Sequence, residues 1–182
     1  VGAVGATQYV QWVNTYFAVF DKATGAIAPG FPKTGNSIWA GFGGGCQNNN
    51  DGDPIVQYDK LANRWILTQF SVSTTPYLQC VAVSTTSDAT GSYYRYAFSY
   101  GNTQFNDYPK LGVWPDGYYM TINQFCQIFN FWAGVGAVVF ERDRMLAGDP
   151  LSATHYDFLA GARDLWPEFL EGLGDVGFGS CS

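Results

Sequence analysis

Asp53-Pro-Ile-Val-Gln-Tyr-Asp-Lys-Leu-Ala-Asn-Arg-Trp-Ile-Leu-Thr-Gln-Phe70 recurs, from Pro54 to Pro109 and so with a period of 55 residues, as Tyr108-Pro-Lys-Leu-Gly-Val-Trp-Pro-Asp-Gly-Tyr-Tyr-Met-Thr-Ile-Asn-Gln-Phe125. Each copy reads as strand, polar turn, strand, and the second copy has the shorter turn. Periods of this size mark repeat architectures, propeller blades among them. Around the first copy lie four strand-like segments, Ile55–Tyr58, Trp65–Ser71, Leu78–Ser84 and Tyr93–Tyr100, with turn residues between them. Four antiparallel strands in about 50 residues match one blade.

A smaller unit accompanies this repeat. Phe17–Gly25, Cys80–Gly91 and Ala137–Gly148 each run from a short apolar strand into a polar turn that closes on glycine. Strands are also expected at Gln8–Asn14, Tyr16–Asp21 and Ser37–Ala40, the first set lacking its first strand. A helical turn is expected at Asp143–Leu146. The predicted fold class is all-β, of antiparallel four-stranded blade repeats (partial β-propeller-like) with a short C-terminal helix. Residues 1–148 make about three blades. Residues 149–182 form a divergent tail packed on the same domain, with the helix at about 164–172 behind Asp164 as N-cap.

Composition points the same way. The 182 residues are 18% aromatic and 13% charged, with 22 Gly and a net charge of −6. Such a chain stays in solution through Ser, Thr, Asn, Gln and Gly, as exported all-β proteins do. Its nine Lys and Arg are scattered, so the clustered cations that displace phosphate counterions are missing and nucleic acid is rejected as a partner. No apolar run reaches the roughly 18–20 residues of a membrane span. The chain opens at Val1 without a signal peptide, read as a mature or trimmed end. The expected localisation is secreted or periplasmic.

Cys46, Cys80, Cys126 and Cys181 are widely spaced and none forms a CxxC pair. With a single histidine, His155, a zinc site has no support. Two disulfides are expected. Three pairings are possible, and Cys46–Cys80 with Cys126–Cys181 is preferred because each bridge would fasten a neighbouring loop.

At Asp51-Gly-Asp-Pro54, Tyr58-Asp59, Asn63-Arg-Trp65, the Ser84–Tyr94 hairpin and Asp107–Tyr119, the chain resembles a group of exported bacterial propeller-like proteins, distantly similar to the sialidase and BNR-repeat superfamily. The resemblance covers roughly residues 5–148. It implies a secreted β-propeller-type fold and brings no agreed activity. Ser87-Asp88-Ala-Thr-Gly91 is a degenerate form of that superfamily's Asp-box, and the five arginines, at 64, 95, 142, 144 and 163, form no carboxylate-binding cluster.

Candidate chemistry is sparse. Asn49, Asp51 and Asp53 place alternating oxygens around Gly52, as a hard cation such as Ca²⁺ would require, but without EF-hand spacing. The competing reading is an Asn- and Asp-rich turn capping its own backbone. Asp53 and Asp107 precede the two repeat strands, which would be innermost in a blade. Facing one channel, they are the candidate acid and base of a glycoside hydrolase-like enzyme. Asp59, Asp88 and Asp116 read as turn residues. Phe129, Phe131 and Trp132, where a loop is expected, are candidates for sugar stacking or self-association. Propellers close with roughly four or more blades, so about three leave open edges and a homo-oligomer is expected. The functional expectation is an exported, non-catalytic structural or binding domain that self-associates through open β-edges or binds carbohydrate.

Overall fold

The computed structural model describes residues 1–126 and 131–150, and of Phe131 the backbone only. The described chain is mostly β, built as three antiparallel meanders in which strands consecutive in sequence are neighbours in the sheet. The first sheet holds β1 (Gly2–Val4), β2 (Gln8–Val13), β3 (Tyr16–Asp21) and the two-residue β4 (Lys33–Thr34). The second holds β5 (Ile55–Asp59), β6 (Arg64–Ser71), β7 (Leu78–Ser84) and β8 (Tyr93–Ser99). The third holds β9 (Gln104–Val113), β10 (Tyr118–Cys126) and β11 (Phe131–Phe140). Two short helices complete it, α1 (Gly44–Asn48) and α2 (Arg142–Ala147).

The second sheet is the middle layer. Trp65, Leu67, Cys80 and Ala82 pack with Val10, Trp12, Phe17 and Val19 of the first sheet. Ile66, Val81, Val83, Tyr96 and Phe98 pack with Tyr118, Met120, Ile122, Val138 and Phe140 of the third. Burial on both faces explains why Trp65–Phe70 is a run of large residues and not an alternation of apolar and polar. In β2 and β10 burial does alternate, because each flanking sheet has a partner on one face only. The first strands β1, β5 and β9 lie next to one another, and Gln57 Nε2 donates to the Leu111 carbonyl at 3.2 Å between the last two.

Several sequence expectations change. The third hairpin is a strand followed by helix α2, and its closing Gly148 is the left-handed helix cap at φ 75°. A Cβ there would also fall on the Tyr94 ring, so glycine is required twice over. Ser37–Ala40 is not a strand. Gly35–Trp39 coils into a 3₁₀ turn, with Ala40 N–H bonded to the Ser37 carbonyl. The first sheet has its first strand, β1, which the glycines around Val4 concealed. β9 begins at Gln104, so Asp107 lies inside it and does not precede it. Trp132 belongs to β11, opposite Phe125, and not to a loop. The expected helix at 164–172, with His155 and Cys181, lies outside the described residues, as does Phe129.

Helix α2 is fastened by a buried ion pair. Asp59 ends β5 and is fully buried. Its Oδ2 accepts from Arg142 Nε at 2.7 Å and from the Tyr118 hydroxyl at 3.0 Å. Its Oδ1 accepts from Arg142 Nη2 at 3.2 Å and from the backbone N–H groups of Leu61 and Ala62 at 3.0 and 3.1 Å. Burial alone would raise this carboxyl's pKa. The bonds from Arg142, Ala62 and Tyr118 outweigh it and hold the pKa below the ordinary carboxylate value. Burial and the same negative charge push the Tyr118 hydroxyl far up, which keeps it a donor.

Candidate functional site: a cleft where the first strands meet

A cleft of about 580 Å³ opens at this junction, lined from the first sheet by Gly2, Trp12 and Asn14, from the second by Asp53–Gln57 and from the third by Tyr108–Leu111. Its backbone is unusual. Only four non-glycine residues among those described have positive φ, and three of them line this cleft: Asn14 at 49°, Asp53 at 44° and Tyr108 at 49°. Asn14 occupies a tight hairpin turn, where asparagine tolerates this conformation. Asp53, as an aspartate, shares part of that tolerance, whereas Tyr108, as a tyrosine, does not. Each precedes a proline, which disfavours helical backbone for the preceding residue. Residues held in sparsely populated backbone regions cost on the order of 1–3 kcal/mol each and concentrate at functional sites.

The period of 55 residues accounts for the pairing. Aligning Pro54 with Pro109 sets Asp53 against Tyr108, one position away from Asp107. At Tyr108 the register of β9 with β10 shifts, Thr121 facing Lys110 but Asn123 facing Asp107. This bulge turns the Tyr108 ring outward, where it is 60% exposed with Lys110 Nζ 3.2 Å from its centroid. Asp53 is exposed at the mouth. Asp107 faces Asn123 across the sheet and does not line the cleft. The structure therefore brings Asp53 to the cleft with Tyr108, and the two-carboxylate arrangement loses one member.

The polar loop Gln47–Asp53 spends its groups on folding. Asp51 Oδ2 accepts from the N–H groups of Val72 and Ser73, at 2.6 and 2.8 Å, and Oδ1 from the Ser73 hydroxyl at 2.5 Å. Asn49 Nδ2 donates to the Ser71 and Thr74 hydroxyls. Asn50 binds the Thr15 carbonyl and the Asn36 N–H. Asn49 and Asp51 therefore do not cap their own turn but tie the loop to residues 71–74, and Asp53 lines the cleft. Among the described residues no three His, Cys, Asp or Glu side chains gather as metal ligands. Just before this loop Cys46 of α1 is disulfide-bonded to Cys80 of β7, the pairing preferred because it fastens a neighbouring loop. Cys126 is buried at the end of β10, and its expected partner Cys181 is not described.

Of the aromatic candidates, Trp132 is 42% exposed and stands edge-on to Phe125, with ring centroids 5.5 Å apart. Phe131 opens β11 opposite Cys126. No helix among the described residues is long and apolar enough to cross a membrane. Sequence reasoning missed Tyr108 and Asn14; the proline alignment carried the signal for the first, since it pairs Asp53 with a tyrosine. Compared with protein-family models, curated proteins and solved structures, the chain matches none.

Proposed function

We propose that this chain is a run of β-propeller-type blades from an exported binding protein, and that the cleft between the first strands takes carbohydrate without catalysing its cleavage. The observation that carries this reading is the meeting of Asp53 and Tyr108 at one cleft. They occupy equivalent repeat positions and share a costly left-handed backbone. Adjacent first strands and face-to-face sheets are what a propeller requires near its axis. An exposed tyrosine ring beside a carboxylate, an ammonium and amide side chains offers an apolar face and hydrogen bonds together, as a sugar demands. The Cys46–Cys80 disulfide is compatible with an oxidising compartment. Glycoside hydrolysis has less support, because it needs both carboxyl groups at the same cavity.

Calorimetry with a panel of neutral hexasaccharides tests this. At least one should bind saturably, and Tyr108→Asn, which removes the ring yet tolerates positive φ, should weaken it by about tenfold or more. Absence of saturable binding across the panel, or full affinity in the variant, would rule the reading out.

Self-association is a second reading with its own support. The outward face of the first sheet carries Tyr9, Val13, Tyr16 and Phe20, and that of the third carries Phe125, Trp132 and Val135. Val13, Tyr16 and Val135 are each at least half exposed. The open surfaces are thus two faces more than edges. A third-sheet face seated on the first-sheet face of a second copy would repeat the packing already present within the chain. Two copies stacked this way fall within the roughly four to eight blades at which propellers close. Light scattering at micromolar concentration should show a dimer that Val135→Lys dissociates; a single-chain mass for the unaltered protein would remove this reading.

A further inference from the structure

A second cleft, of about 280 Å³, lies away from the first, where β4 and the 3₁₀ turn of the first sheet meet the β7–β8 hairpin of the second. Its charged lining is Lys33 and Arg95, and no acidic side chain lines it. In a chain of net charge −6 with only nine Lys and Arg, two cations drawn from different sheets into one cleft call for a reason. Among the described residues neither makes an ion pair. Both are held in place by uncharged groups. Lys33 Nζ stands 4.6 Å from the centroid of Phe31, and the Arg95 guanidinium lies over Phe42 and donates through Nη1 to the Ala40 carbonyl at 2.7 Å. That bond uses one of the five guanidinium donors and orients the rest of the fork. The remaining wall carries the hydroxyls of Ser37 and Thr90, which donate to the Thr34 carbonyl and the Asp88 carboxylate, and of Ser92, paired with Thr85, so they present acceptor oxygens to a ligand.

Two like charges sharing a cleft repel each other, and an anion between them reverses the sign of that term. A cavity near the lower end of the usual ligand range suits a single ring. We propose that this cleft binds the carboxylate of an acidic sugar, a uronate residue of an acidic polysaccharide. The carboxylate sits between Lys33 and Arg95, and the sugar hydroxyls meet the serine and threonine hydroxyls. Charge-assisted hydrogen bonds are roughly twice as strong as neutral ones, so the acid group dominates recognition. The assignment is independent of the first-strand cleft.

Calorimetry of the whole chain with oligogalacturonate tests it, with a neutral oligosaccharide of equal length and sodium acetate as separate titrants. Saturable oligogalacturonate binding is expected, weakening as salt screens the pair. Lys33→Gln and Arg95→Gln should each lower affinity by about tenfold, Arg95→Lys by less, and Tyr108→Asn not at all. Thermal melts of the variants establish that they are folded. Absence of saturable binding, undiminished affinity in the Lys33→Gln/Arg95→Gln double variant, or equal binding of the neutral oligosaccharide would overturn the proposal. Acetate binding as tight as the sugar acid's would likewise overturn the sugar assignment.

Discussion

Arg142→Ala destabilises the protein by about 3–5 kcal/mol, the range for removing one partner of a buried ion pair. The size follows from what is left behind. Asp59 is fully buried and keeps three donors, Tyr118, Leu61 and Ala62, but no counter-charge. At this chain length each kcal/mol moves the melting temperature by roughly 2–4 °C, so a drop of about 10 °C is expected. Asp59→Asn leaves Arg142 the exposed Asp143 carboxylate, 3.2 Å from Nη1, and the Pro115 carbonyl, and should cost less than Arg142→Ala. A double-mutant cycle should then show strong coupling, because the two side chains share one network. Additive losses would show that the pair contributes little beyond packing.

The same carboxyl makes stability depend on acid. Its pKa in the folded chain lies below the value in the unfolded chain, about 3.9. The unfolded state therefore takes up protons first as pH falls. The stabilisation is complete above about pH 4 and is lost as pH drops through the folded value. Denaturant titrations between neutral and acid pH should show the decline steeper in the unaltered protein than in Asp59→Asn. Parallel curves would assign the acid sensitivity to other carboxylates.

Removing the Cys46–Cys80 bridge is the second large effect. The two cysteines are 34 residues apart, and closing a loop of that length restricts the unfolded chain by about 4 kcal/mol in the entropic account. Cys46→Ala/Cys80→Ala should therefore lose roughly 3–4 kcal/mol, read as a lower denaturation midpoint with a slope that rises because the unbridged unfolded chain exposes more surface. The double substitution leaves no thiol, and because both cysteines are buried it opens a small void. The hydrogen bonds of Asn49 and Asp51 to residues 71–74, with those of Asn50 to Thr15 and Asn36, would then hold the loop without a covalent link. A midpoint unchanged by the substitution would mean that they already suffice.

Both effects join segments that are remote in the chain, and this separates what could be read locally from what could not. Asp59 and Asp88 were legible as turn residues, and they are: Asp59 accepts from Leu61 and Ala62, and Asp88 from Thr90. Nothing in either turn announced its second task. Asp59 also receives Arg142, 83 positions away, and Asp88 receives Gln8, 80 positions away. The bond from Gln8 leads those that hold the Asp88 carboxyl below the usual carboxylate range. Turn chemistry is encoded within four residues, whereas the choice of a distant donor depends on which sheets face each other.

Strand content, antiparallel meanders and the turn residues followed from the sequence alone, whereas the cysteines allowed three pairings and the structure selected Cys46–Cys80. Apolar patterning, β-branched runs and Gly, Asn and Asp in turns act over a few neighbouring residues, so their signal survives without a structure. The tertiary structure decided that the second sheet is covered on both faces, that Gly148 closes a helix, and that β9 bulges at Tyr108. It also decided the clefts. Asp53 meets Tyr108, and Lys33 meets Arg95, only because three sheets stack, and the packing energy that aligns them is spread over whole faces and written in no single motif.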